Sequence, residues 1–319
     1  MSRSLTAVLA LVAAVPALAQ DFPLTLETKF GPVTIEERPE RVATLDYGGA
    51  DNLLALGIQP LTARSWFGPY EDGFWPWARP LVQSEPVMIG DPIDIEAVAA
   101  TDPDVILAFH SGITQEDFDR LSTIAPVVAA PPGRGDYELD WKGRAERAAL
   151  ATGREAEAAE RIAAIEAQIA ALRAANPEWE GRTFTMLTIW EGSIGLYTAS
   201  DPTVQLLAQL GLVPHPKVVE LSPPGEFYQQ ISEEILPELD ADLVVWYEAP
   251  DDPEVMALAG RQGMRAPAEG REIFLAIDNE VNGALSYGSL LSLPYALERL
   301  APVIDAAIDG DPATPVPLE

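Results

Sequence analysis

The chain has 319 residues, of which 50 are acidic and 20 basic, for a formal charge of −30, and it contains no cysteine. That balance argues against a nucleic-acid surface, which needs a basic face, and against attachment to anionic lipid; it suits an exported protein kept soluble by its charge. Neither a disulfide nor a lipidated thiol is available, so stability has to come from core burial, for which about 300 residues in two domains suffice.

Residues 1–19 read as a secretory signal: Arg3, an apolar run over 5–15, then Ala17-Leu18-Ala19 ahead of a cleavage expected before Gln20. The run is too short for a membrane span. A periplasmic protein with no lipid anchor is therefore expected. An extended start over 25–35 leads to a strand at 41–45, a helix at 51–56 and a strand opening at 58–61. Apolar strands at 105–109 and 127–129, separated by a helix at 114–122, complete a first α/β lobe over 20–142.

Residues 143–177 differ in character, being rich in alanine, glutamate and arginine. Gly153 divides them. Beyond it Ile162, Ile165, Ile169 and Leu172 recur at helical spacing over 154–175, which predicts a bridging helix of roughly 33 Å with one apolar stripe. A second lobe over 178–308 follows, with strands at 183–190, 217–219, 243–247 and 273–277. Its helices are predicted at 202–210, 232–239 and 290–308. The proline-bearing tail 309–319 has little to bury and is expected to be disordered.

The two lobes echo each other. Asp94-Ile95-Glu96 leads into Asp102-Pro103-Asp104-Val105-Ile106-Leu107, and 138 residues later Ser232-Glu233-Glu234 leads into Asp240-Ala241-Asp242-Leu243-Val244-Val245. A second echo, Leu53 to Pro60 against Leu206 to Pro214, pairs Gly57 with Gly211 at an offset of 154. Each copy reads as a helix closed by glycine and followed by an apolar strand. A duplicated α/β architecture explains both.

The run Arg38-Pro39-Glu40-Arg41-Val42-Ala43-Thr44-Leu45, the paired echoes and the bridging helix together resemble the periplasmic substrate-binding proteins of ABC importers for iron-siderophores and cobalamin. The resemblance covers nearly the whole mature chain. It implies two α/β lobes with mainly parallel sheets joined by one long helix, of the class III periplasmic binding protein type. It also implies a ligand cleft between the lobes, a monomeric protein, and an acidic residue on each lobe that docks on arginines of a permease dimer. By position these are Glu96 and Glu234; the alternative is that both merely favour a helix N-terminus.

Ligands of parallel α/β sheets sit beyond the carboxyl ends of the strands. Those loops carry Asp46, Tyr47, Arg64, Ser65, Trp66, Phe67, Tyr70, His110, Ser111 and Arg134 in the first lobe. In the second they carry Trp190, Glu191, Tyr247, Glu248, Asp278, Asn279, Ser286 and Tyr287. Aromatics with arginines suit a ferric siderophore, often anionic, as the transported ligand, with no intrinsic cofactor. Packing is the competing role for Trp66, Tyr70, Trp75 and Trp77, and surface ion pairing for Arg64 and Arg134. Heme or cobalamin is the alternative ligand, with His110 or Tyr287 as a possible iron ligand.

His110 and His215 are the only histidines and no metal-ligand spacing surrounds them, which argues against a bare transition-metal site. An exported α/β hydrolase is the reading from another class. It lacks support: Gly192-Ser193-Ile194-Gly195 is without the leading glycine of a nucleophile elbow, and no phosphate-binding glycine motif occurs.

Overall fold

A computed structural model of the chain describes residues 21–317, so the expected signal segment lies outside the described residues. Strands β1 (Leu24–Thr28) and β2 (Gly31–Ile35) form an antiparallel hairpin whose alternate residues are buried. The first lobe continues through β3 (Val42–Thr44), α1 (Gly49–Ala55), β4 (Thr62–Ala63), β5 (Val87–Met88), α2 (Ile95–Ala100), β6 (Val105–Ala108), α3 (Gln115–Leu121) and β7 (Val127–Ala129). Strands β3, β6 and β7 pair in parallel in that order, and β4 pairs in parallel with β5. Every residue of β3, β6 and β7 is buried, as a parallel sheet covered on both faces requires.

Helices α4 (Trp141–Thr152) and α5 (Glu155–Ala175) form the bridge, separated at Gly153, whose left-handed φ of 63° closes α4. Of the predicted stripe Ile162, Ile165 and Ile169 are buried and Leu172 is half-buried, and Ala158 extends the buried face. They enter one apolar core that also contains Val105 and Leu107 of the first lobe and Phe184, Met186 and Leu243 of the second. The two lobes therefore share a continuous interior.

The second lobe is built from β8 (Thr183–Trp190), β9 (Ser193–Tyr197), α6 (Pro202–Gln209), β10 (Val213–Pro214), α7 (Pro216–Leu221), β11 (Tyr228–Ile231), a 3-10 segment at Glu233–Leu239 and β12 (Leu243–Trp246). Then come α8 (Pro253–Ala257), α9 (Ala259–Gln262), β13 (Glu272–Phe274), α10 (Glu280–Tyr287) and α11 (Ser292–Ile308). Its sheet runs β11-β9-β8-β12-β13 with β10 beside β8, parallel except where β9 runs against β8 and β11. The β8–β9 turn places Glu191 at φ 49° and Gly192 at φ 75°, the paired left-handed conformations that a tight hairpin uses.

Several expectations are corrected. Residues 217–219 are helical, in α7: Pro216 pre-sets the first helical φ, and the His215 ring accepts the Lys217 N–H at 3.3 Å. That local chemistry outweighs the strand preference of Val218-Val219. Strand β4 starts at Thr62, after the turn at Gly57, and α11 starts at Ser292, because α10 precedes it and ends at Gly288 with φ 48°. Beyond α11, Val316 packs against the main core and Pro312 lies over Gly270.

The duplication extends to individual atoms. Val105 and Leu107 of β6 face the shared core while Ile106 and Ala108 face a separate outer cluster; at the same offset Leu243 and Val245 of β12 face the shared core, and Val244 and Trp246 an outer one. Asp94 and Ser232 both cap the element that follows. Asp104 Oδ2 accepts the Glu40 and Arg41 N–H groups at 2.9 and 2.8 Å, and Asp242 Oδ2 accepts the Thr183 N–H and hydroxyl at 2.8 and 2.9 Å. Each aspartate thus fastens the start of the neighbouring parallel strand.

Candidate functional site: an aromatic interlobe cleft

The two lobes depart from their common repeat in different places, and both departures carry the site. The offset of 154 at the glycine echo falls back to 138 at Ser232 because the first lobe holds a long loop between β4 and β5. The second lobe instead holds the β8–β9 hairpin ahead of the echo. Trp66, Phe67, Tyr70, Trp75 and Trp77 lie on the former, Trp190 and Tyr197 on the latter.

In the first lobe Tyr47 and Arg64 follow adjacent strands and form a β-bridge. The Arg64 guanidinium lies 4.3 Å from the Tyr47 ring centroid, Nη1 donates to the Ser111 carbonyl at 2.8 Å, and Nη2 pairs with Asp91 at 3.4 Å. With its side chain only 3% exposed, Arg64 is a stacked, neutralised strut. Of the two roles expected for Arg64, ligand contact and ion pairing, the ion pair is present here, with Asp91. Arg134 sits exposed in the turn after Pro131, and among the described residues its guanidinium has no hydrogen bond or ion pair.

Trp66 is 45% exposed, with ring centroids of Tyr47, His110 and Tyr287 at 5.5, 6.4 and 6.4 Å. The rest of its loop is anchored on the second lobe. Trp75, 1% exposed, stacks on Trp77 at 5.1 Å and covers Gly283, where a Cβ would come within 2.5 Å of the ring. Trp77 Nε1 donates to Asp51 at 2.7 Å, and the same carboxylate accepts the Ser289 hydroxyl at 2.9 Å. Tyr70 donates to Glu280 at 3.1 Å, and the Tyr287 hydroxyl accepts the Trp66 N–H at 3.2 Å. Trp75, Trp77, Tyr70 and Tyr287 therefore join the lobes, and Trp66 is the ring left presented.

From Trp66 a chain of ring contacts crosses to the second lobe. It runs through His110, Tyr137 at 5.2 Å, Phe227 at 5.8 Å, Tyr228 at 6.3 Å, Tyr197 at 5.8 Å and Tyr247 at 5.2 Å. Tyr137, Tyr197, Phe227 and Tyr228 were not candidates from sequence: Tyr197 and Tyr228 lie on β9 and β11, which carry no clear signal, and Tyr137 and Phe227 lie in irregular segments; alternating Ile194 and Leu196 was the available clue. Trp190, at the hairpin tip, is 67% exposed and outside the ring chain. Asn279 caps α10 by accepting the Val281 and Asn282 N–H groups, and Glu248 accepts the Thr188 hydroxyl and the Ile189 N–H. Both carboxamide and carboxylate thus hold local backbone in place.

Beneath the aromatic surface lies a buried ionisable cluster. Asp46 Oδ1 accepts the His110 N–H at 2.6 Å while its Oδ2 has no hydrogen-bond partner among the described residues, and burial pushes its carboxyl up to about 7. Burial likewise lifts Asp51 and Asp201 to about 6 each. Arg144 faces all three acids, donates to the Gly288 carbonyl at 3.0 Å, and is lowered to about 10 by burial. His110 is held well below its usual value by burial and by the Arg144 charge. The His110 ring is 4% exposed and lies between Trp66 and Tyr137, its Nδ1 is buried without a hydrogen-bond partner among the described residues, and the buried Tyr287 hydroxyl is engaged with Trp66.

Glu96 and Glu234 occupy equivalent positions and are exposed; among the described residues neither carboxylate has a hydrogen bond or an ion pair. Glu233 next to them accepts the Gly260 N–H at 2.9 Å and is structural.

The sequence model of the family described as periplasmic binding protein matches residues 42–275. The chain is 29% identical over 220 residues to a Bacillus subtilis protein named as a probable siderophore-binding lipoprotein, YfiY, covering 67% of this chain and 65% of the relative. It is 30% identical over 205 residues to the ferric enterobactin-binding periplasmic protein FepB of Escherichia coli, covering 60% and 62%. The matches thus span a little under two thirds of each relative's length. Among solved structures, PiaA of Streptococcus pneumoniae in complex with ferrichrome superposes with a TM-score of 0.78 at 28% identity, covering 90% of this chain and 99% of that one.

Proposed function

The chain belongs to the periplasmic binding protein family, and from that premise we propose that it captures a ferric siderophore in the cleft between its lobes and delivers it to the permease dimer of an ABC importer. The observation that carries this reading is the chain of ring contacts from Trp66 to Tyr247, which continues across both lobes. Such a surface offers ring faces and edges to a bulky chelate whose organic shell is apolar. Relatives named for binding ferric chelates support it. The protein is exported, acts as a monomer and carries its iron as cargo.

Delivery rests on Glu96 and Glu234, one free carboxylate per lobe, each suited to a charge-assisted contact with a permease arginine. The shared core through α5 favours a stiff hinge and small closure.

Titration of the purified mature protein with ferric siderophores, heme and cobalamin, followed by tryptophan emission and melting temperature, tests the reading. A ferric siderophore should quench emission, raise the melting temperature and be recovered unchanged. Trp66→Ala should weaken its binding by about 10-fold to 100-fold, the scale of one stacked aromatic at a binding surface, while melting stays near the parent value. Silence toward every ferric siderophore would overturn the reading.

A further inference from the structure

We infer that the cleft is built for an uncharged ferric chelate of the tris-hydroxamate type and discriminates against a trianionic tris-catecholate; this rests on the capture reading above. The distinction is one of charge. Three singly charged hydroxamates neutralise ferric iron, whereas three doubly charged catecholates leave three negative charges on the complex. A site that takes up the second kind needs cations free to answer it, since burying an unpaired charge is costly.

Against three charges the described residues of the cleft offer one such cation. Arg64, the cation on the aromatic wall, has Nη1 on the Ser111 carbonyl and Nη2 on Asp91, with its flat face against Tyr47. Arg144 is buried, held to the Gly288 carbonyl, and its charge is answered by the fields of Asp46, Asp140, Asp201 and Asp51. Arg147 donates to the backbone carbonyls of Glu27 and Ala129. Arg134 alone, on an exposed turn, has its guanidinium unengaged among the described cleft-side arginines.

Beside Arg134, the walls offer large apolar side chains. Trp66 on one wall, and Trp190 and Ile277 beyond strands of the other lobe, are exposed at 45%, 67% and 58%. Ring faces carry the negative lobe of the aromatic quadrupole, which repels an anion and accepts an apolar edge. Over longer range the chain's charge of −30 opposes the approach of any polyanion.

The test is tryptophan quenching by one ferric tris-hydroxamate and one ferric tris-catecholate, each titrated at low and at high salt. The neutral chelate should bind at least about 100-fold more tightly at low salt, the effect of one or two uncompensated charges at an effective dielectric near 20. The weak catecholate affinity should improve as salt screens the repulsion. A catecholate that binds within about tenfold of the hydroxamate, or whose affinity falls as salt is added, overturns the inference and leaves the capture reading standing. Silence toward both chelates, in quenching and in melting temperature, overturns the two together.

Discussion

Single residues in this molecule divide between those that present chemistry and those that hold a wall in place. Asp46 belongs to the second kind, and its burial gives a signed prediction. Its folded-state value of about 7 lies above the ordinary 3.8, as do the values of about 6 for Asp51 and Asp201. An acid raised on folding stabilises the fold fully below its unfolded pKa, and that contribution is lost as pH rises through the folded value. Melting temperature should therefore fall between about pH 4 and pH 7. Asp46→Asn keeps an acceptor for the His110 N–H and removes the charge, so at pH 8 it should melt several degrees above the parent, reflecting about a few kcal/mol. At pH 4 the two should nearly coincide. Equal melting at pH 8 would show that Asp46 is not a buried, destabilised charge.

The sequence located this neighbourhood but not the roles within it. Tyr47, Arg64, Trp66, Tyr70, His110 and Tyr287 do come together, because strand ends of a parallel sheet converge on one edge. Which of them is free depends on partners distant in the chain: Ser111 and Asp91 quench Arg64, Glu280 holds Tyr70, and Trp66 engages the Tyr287 hydroxyl. Residue type alone carries no sign of such pairings.

At the scale of elements, the parts with a local signature were legible. The bridging helix followed from the spacing of Ile162, Ile165 and Ile169, and the helix ends at Gly57 and Gly211 from their glycines, both left-handed at φ 76° and 100°. Strands β9 and β11 were missed because neither alternates: three consecutive residues of β9 are buried, and on the edge strand β11 the adjacent Gln229 and Gln230 interrupt the apolar pattern. Two glycine substitutions separate the forces at work. Gly57→Ala puts a Cβ into open space, so only the left-handed backbone is penalised and the loss should be about 1–2 kcal/mol in denaturant unfolding. Gly283→Ala, on α10, should drive Trp75 off its seat, and chelate affinity should fall with stability. A Gly283→Ala protein with parental affinity would show that the Trp75 contact does not position the loop.

Across the whole molecule, the shared core, the lobe-crossing bond of Asp51 with Ser289 and the bond from Arg144 of the bridge to Gly288 make a stiff frame. Docking should then be separable from binding. Exchanging Glu96 and Glu234 together for lysine should abolish uptake by cells while leaving chelate affinity within about twofold, because neither carboxylate has a partner among the described residues. Undiminished uptake would remove both from the delivery step.

The central claim, that the interlobe cleft carries a ferric chelate, is met most directly by native mass spectrometry of the protein purified from iron-starved cells, where a retained ligand reports its own mass. The expected spectrum shows the mature chain plus one ferric chelate, with that adduct depleted in Trp66→Ala. A spectrum of chain alone that gains no adduct when ferric siderophores are added back would contradict the account.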